Sequence, residues 1–233
     1  MKFIVKIPIL EPKSAGVRCL IHLAAMLNQA GYHAEINGIP GPDDIAVYPD
    51  IVLGNPDQAK KVLRYMLYYP TSYFGGDRIP AEQCVIVYNQ QYFSSTAEHY
   101  DGKLTSANVL AMPVIEAGLC SPGEKTIEKV LYLGKHNAGK RPDEEMPLIT
   151  REAMSREGCI NLLRSARNLY SCDNRSAILV EAVLCGCQPW IMGPDDKFEK
   201  ILIPDAERYV QDTARDRITA RRFAEIALDF FRV

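Results

Sequence analysis

Short apolar runs and longer helical periodicities alternate along this chain. FIVKIP at residues 3–8 is a run of the kind that becomes a buried parallel strand. It leads through EPKSAG into VRCLIHLAAMLNQAG, where Val17, Leu20, Ile21, Leu23, Ala24 and Leu27 recur at helical spacing and Gly31 is placed to stop the helix. HAEIN then reads as a second strand. Strand, glycine-containing loop, helix and strand form a βαβ unit, which predicts a parallel sheet covered on both faces.

DIAVYPDIVLGN supplies one or two further strands, and PDQAKKVLRYMLYY reads as a helix with Pro56 at its N-terminus. EQCVIVYN and NVLAMPVI are later strands, with a polar stretch around residues 91–107 between them. The turn cluster Ser121-Pro122-Gly123 marks a junction. The alternation then restarts: KVLYLG, MPLIT, NLYSC and QPWIMG read as strands, while SREGCINLLRSAR, SAILVEAVLCG and TARDRITARRFAEIALDFF read as helices. The expected architecture is α/β, with two Rossmann-like domains facing one another, residues 1–122 and 123–233.

Composition narrows this picture. A chain of 233 residues, 47% hydrophobic and 24% charged, can bury a core without disulfides or metal, and is neither disordered nor collagenous nor membrane-spanning in composition. A net charge of -2 argues against a dedicated nucleic-acid binder. The distribution is uneven: 12 of the 15 arginines follow residue 120 and 9 of the 12 tyrosines precede it, so the second half is richer in groups suited to anionic oxygens. Seven cysteines without a CxxC pair, set among apolar neighbours, read as reduced thiols of a cytoplasmic protein. The start MKFIVKIPIL reads as a strand rather than a signal peptide, because Lys6 and Pro8 interrupt its apolar stretch.

The most informative stretch is ARNLYSCDNRSAILVEAVLCGCQPWIM. A strand ends at a polar turn, a helix opens near Ser176 and Ala177, and Glu181 lies more than one turn inside it. Unpaired amides at such a helix start suit phosphate, and a carboxylate further in can accept hydrogen bonds from a ribose diol. An ordinary solvated Glu181, with Gly186 as a helix C-cap, is the plain alternative.

Asp173-x7-Glu181, followed by Ala182 and Cys185-Gly186-Cys187-Gln188-Pro189, resembles the E-x7-E and EA..CG.P signature of GT-B glycosyltransferases, in particular the group 1 type of polysaccharide and glycan assembly. The resemblance implies that Glu181 holds the ribose of a nucleotide sugar and that Asp173, in place of the family's Glu, lies near the donor sugar. LYLGKHNAGKR adds Gly134-Lys135 and Lys140, which match the family's diphosphate-binding cations; Arg141 lies beside them. Cations placed there would stabilise a departing nucleoside diphosphate by fixed electrostatics. The loop Lys13-Ser14-Ala15-Gly16 resembles the family's first glycine-containing loop, a helix cap at Ser14 being the plain alternative. Thr150-Arg151 occupies the position of the base contact in the family, a surface arginine being the alternative.

The expectation is therefore an enzyme moving a sugar from a nucleotide diphosphate sugar to a hydroxyl of a glycan or lipid-linked saccharide; the resemblance implies retention of configuration, which the sequence itself leaves open. Lys135, Lys140 and Asp173 would be catalytic; Gly16, Gly134, Thr150, Arg151, Ser176, Ala177 and Glu181 would bind the donor. The histidines at 22, 33, 99 and 136 form no metal set, and HExxH, CxxC and DxD motifs do not occur, so neither a metal nor a cofactor is expected. KKVLRYMLYY and the arginine-rich last helix are two surfaces for peripheral contact with the inner face of a membrane. The spacing of Tyr65, Leu67, Tyr68 and of Phe223, Ile226, Phe230 nevertheless favours core faces for both. Self-association is left open. The alternative from another class is a non-catalytic nucleotide- or glycan-binding subunit on the same fold. A dinucleotide oxidoreductase is disfavoured because G-x-G-x-x-G does not follow the first strand.

Overall fold

The computed structural model describes residues 1–8, 14–70, 78–134, 145–150 and 154–232. Among them, five helices and two five-stranded, mostly parallel sheets divide between two units, Met1–Pro113 with Asp212–Val233, and Val114–Gln211.

In the first unit β1 (Phe3–Val5), β2 (Ala34–Ile36), β3 (Ile45–Pro49), β4 (Lys61–Met66) and β5 (Cys84–Val87) form a fully parallel sheet in the order β2-β1-β3-β4-β5. Helix α1 (Ala15–Gln29) and the C-terminal helix α5 (Thr213–Phe231) pack together, α1 also against β1 and β2 and α5 against β5. Tyr65 of β4 joins these layers. Its ring meets Phe223 of α5 edge-on at 5.3 Å, while its hydroxyl donates to the Leu110 carbonyl at 2.8 Å and accepts from the Met112 amide at 3.1 Å. The opposite side chains of β3 and β4 meet the loop of residues 50–60, and those of β5 meet α2 (Gln90–His99).

PDQAKKVLRYMLYY is therefore not a helix. Residues 61–66 are the central strand β4, with Val62 to Met66 all buried, and Arg64 is not a solvated position. Arg64 is 1% exposed, and its guanidinium lies over the Tyr48 ring, 5.1 Å from its centre, and donates to Gln83 Oε1 and to the carbonyls of Val52 and Gly54. Burial pulls its pKa down to about 10. The β3–β4 crossover thus has a loop where a helix usually lies, and the guanidinium fork ties that loop to the sheet through two of its carbonyls. NVLAMPVI forms no strand; it contains part of a 3-10 turn and an extended run that touches β5 by one bridge, Val87 to Val109.

The second unit carries β6 (Ile127–Tyr132), β7 (Leu148–Ile149), β8 (Ala166–Ser171), β9 (Gln188–Met192) and β10 (Phe198–Lys200) in the order β10-β9-β8-β6-β7, with β10 alone antiparallel. Helices α3 (Arg156–Ser165) and α4 (Ile178–Leu184) cover the face bearing Val130, Tyr132 and Leu169. Lys125 holds the ends of both: its ammonium donates to the carbonyls of Leu163, Arg164 and Cys185 at 3.3, 2.9 and 2.7 Å. A cation at two helix C-termini satisfies orphan carbonyls and complements both dipoles.

The expected division at residues 122 and 123 differs from that observed. The second unit begins at Val114 and ends at Gln211, where Ile115 and Val210 run side by side as a parallel bridge. Helix α5 belongs to the first unit. Its Ala220, Phe223, Ala224 and Ala227 are buried, and the small alanines permit close approach to α1. His22 of α1 lies 2.8 Å from the Asp216 carboxylate, which is fully buried and also accepts the Asp212 amide. No described helix is long and apolar enough to cross a membrane. Tyr65 and Phe223, set on the two surfaces considered for membrane contact, are buried.

Candidate functional site

The second sheet places β6 between β7 and β8, so the crossover from β6 to β7 runs one way and that from β7 to β8 runs back past β6. The carboxyl ends of β6 and β8 therefore flank a topological switch point, the place where open α/β sheets bind ligands. The residues at those ends are Tyr132–Gly134 and Ser171–Asp173. They are two stretches singled out separately in the sequence.

Gly134 and Asp173 are packed against each other. Gly134 has φ +76°, a left-handed conformation, and a Cβ built on it would stand 2.4 Å from the Asp173 Cβ. Any side chain there must displace the Asp173 turn, which accounts for glycine on both steric and conformational grounds. The turn is itself knit by short-range bonds. The Ser171 hydroxyl, fully buried, donates to the Asp173 carbonyl at 2.8 Å and accepts its amide at 3.1 Å, while the Asp173 carboxylate accepts the Arg175 amide at 3.0 Å. Ser176 lies beside Tyr132, hydroxyl to hydroxyl at 3.4 Å. Ala177 is the residue before α4, with αR backbone and no side-chain cap, and α4 is only seven residues long.

Glu181 is neither solvated nor open. Its carboxylate is 5% exposed and lies 2.8 Å from Arg156 Nη1, while Arg156 Nη2 reaches Glu116 at 2.8 Å. Burial works against the guanidinium's charge, but Glu181 and Glu116 outweigh it and hold the Arg156 pKa above its ordinary value. Arg156 Nε is buried without a hydrogen-bond partner. Both ends of this pair are at the starts of helices that follow parallel strands, Arg156 opening α3 after β7 and Glu181 in α4 after β8. Sequence reasoning missed Arg156 and Glu116, since partners 25 and 65 residues from Glu181 leave no spacing signal.

Thr150 directly follows β7 and is half-buried. Lys135, Lys140, Arg141 and Arg151 lie outside the described residues. Gly16 belongs to the first unit, in the first turn of α1, where a Cβ would meet Leu67 at an ordinary 3.5 Å; nothing about that position demands glycine. Ser14 precedes the helix but makes no side-chain cap bond. The structure therefore gathers Gly134, Asp173, Ser176 and Ala177 at one sheet edge, puts Glu181 into an internal ion pair, and leaves Gly16 in the other unit. Among the described residues there is no group of three or more His, Cys, Asp or Glu side chains suited to a metal.

No protein-family model matches the chain, and no curated protein matches it.

Proposed function

We propose that the chain is a glycosyltransferase of the GT-B type that moves a sugar from a nucleotide diphosphate sugar to a hydroxyl of a glycan or lipid-linked saccharide. The first unit is the acceptor side and the second the donor side. The observation that carries this reading is the packing of Gly134 onto Asp173 at the switch point of the second sheet, because it joins the two motifs that resemble the family's donor site.

In this reading the diphosphate lies beside the turn where Gly134 packs on Asp173, with Lys135 and Lys140 meeting the charge that develops as it leaves. Asp173 faces the donor sugar, and Thr150 and Arg151 the base. Glu181 takes the ribose by exchanging part of its bond with Arg156 for the diol. Calorimetry with a panel of nucleoside diphosphates tests this. Glu181→Gln should weaken binding about tenfold, the worth of one charge-assisted hydrogen bond, with the unfolding midpoint measured alongside; undiminished affinity refutes the ribose role.

The Arg156–Glu181 pair is also the observation that favours a second reading, a non-catalytic nucleotide- or glycan-binding subunit, since the carboxylate already has a counter-ion. A donor hydrolysis assay separates the two. Turnover with any nucleotide sugar supports the enzyme, and binding without turnover across the panel supports the subunit.

A further inference from the structure

Glu181 has a role in the nucleotide-sugar reading, whereas the arginine that holds it has none. Arg156 opens α3, and its planar fork lies between two carboxylates, with Nη1 at 2.8 Å from Glu181 Oε1 and Nη2 at 2.8 Å from Glu116 Oε2. All three residues stand on well-tied backbone. At the start of α3 the Ser155 hydroxyl accepts the Gly158 amide at 3.0 Å, Glu181 lies in the first turn of α4, and α3 and α4 pack together. Beside Glu116, the Ile115 amide donates to the Tyr209 carbonyl at 3.2 Å and the Ile115 carbonyl accepts the Gln211 amide at 2.8 Å.

Two features of Arg156 run against local stability. A cation at the first position of a helix opposes the helix dipole, and the Nε–H is buried with no acceptor. The side chain is therefore placed by its two carboxylates rather than by its own helix. The benefit falls on Glu181, whose carboxylate is 5% exposed. A carboxylate at that depth with no cation beside it takes up a proton or turns away, and in the neutral form it is no longer a purely accepting group. Arg156 keeps Glu181 charged and, because the guanidinium is planar and held at Glu116 as well, keeps it aimed. An ionised carboxylate has about four acceptor positions, so it can accept Nη1 and the hydroxyls of a ribose at once.

We propose that Arg156 is a positioning residue that sets the site's preference for a ribose: by holding Glu181 charged and aimed, it makes a nucleoside diphosphate with a 2′,3′-diol bind more tightly than one without. The proposal rests on the ribose role given to Glu181. Arg156 acts only through that carboxylate, so removal of its head group should cost affinity only where a diol is present. A mere staple between α3, α4 and the segment of Glu116 would, when cut, treat ligands with and without the diol alike.

Calorimetry of the whole chain with uridine, guanosine and adenosine diphosphates and their 2′,3′-dideoxy analogues tests this, with the unfolding midpoint measured alongside. In the unmutated chain the diol should improve affinity about tenfold for whichever base binds best. Arg156→Met should bring that ratio to about one while leaving the dideoxy affinity unchanged, and on a Glu181→Gln background it should alter neither. Arg156→Lys, which keeps the charge but not the fork, should hold a ratio of about three, and it carries the test alone if the methionine variant does not fold. A ratio still near that of the unmutated chain in either variant, or an equal loss for both ligands, overturns the role of Arg156 and leaves the ribose contact standing. A ratio near one in the unmutated chain overturns the ribose contact of Glu181 and the role of Arg156 together. Absence of binding by all three ribonucleoside diphosphates overturns the nucleotide reading itself, and this role with it.

Discussion

Arg64 in the first unit and Lys125 in the second solve the same problem by different means. Each donates to main-chain carbonyls left unpaired by a crossover between parallel strands. Arg64 does so inside the layer, fully buried, over the Tyr48 ring, beneath a loop that replaces a helix. Lys125 does so at the rim, half-buried, as a point charge at the ends of two real helices. The first unit therefore uses its cation to hold the loop that covers the β3–β4 part of one face, whereas the second uses its cation only to finish elements that hydrophobic packing has already placed.

The sharpest way to break that comparison is Arg64→Met. Removal of the fork strips Gln83 and the Val52 and Gly54 carbonyls of their donor and takes a fully buried cation from the Tyr48 ring, and a loss of about 3 kcal/mol is expected by urea unfolding; a loss no larger than that of Lys125→Met would erase the distinction. Next comes Gly134→Ala, in which left-handed strain and collision with Asp173 should cost about 2 kcal/mol and weaken nucleotide binding as well. Lys125→Met should cost about 1.5 kcal/mol, because water can reach part of the site and replace the ammonium. Thermal unfolding measures both of these losses.

The smallest effect is a pH dependence beside Arg64. Asp57 accepts Tyr48 Oη at 2.7 Å and Lys6 Nζ at 3.0 Å. Burial pushes its pKa up, but these two donors outweigh it and hold the carboxyl below its ordinary value. The folded state thus favours the charged form, and the stabilisation is present above the unfolded value of about 3.9 and lost as pH falls through the lower folded value. The melting-temperature gap between the unmutated chain and Asp57→Asn should be widest above about pH 5 and close toward about pH 2. A gap that does not change with pH would mean that the carboxylate charge contributes nothing.

Residues 61–66 show where pattern reading fails. Lys60, Lys61 and Arg64 look like the polar stripe of an amphipathic helix after Pro56, and only a partner 12 residues back, the Val52 carbonyl, explains an arginine inside a strand. In α5 the apolar period identified the helix and its buried face, but periodicity does not say which layer that face meets; His22, almost two hundred residues away, shares its anchor. Helix α2 was illegible because QQYFSSTAEH buries little beyond Tyr92 and Thr96. At the candidate site, Gly134 and Asp173 were singled out by two separate short motifs that carry the resemblance, while their packing on each other was not legible. The Glu116–Arg156–Glu181 ion pairs were not, because they depend on how three segments meet.

Hydrogen exchange tests the central claim most directly, read at the amides of Gly134 and residues 172–177 while uridine, guanosine, adenosine and thymidine diphosphates are added in turn. The account predicts that at least one of them slows exchange at both stretches together, and that Gly134→Ala removes this protection. Protection confined to other parts of the chain, or none with any of the four, would contradict it.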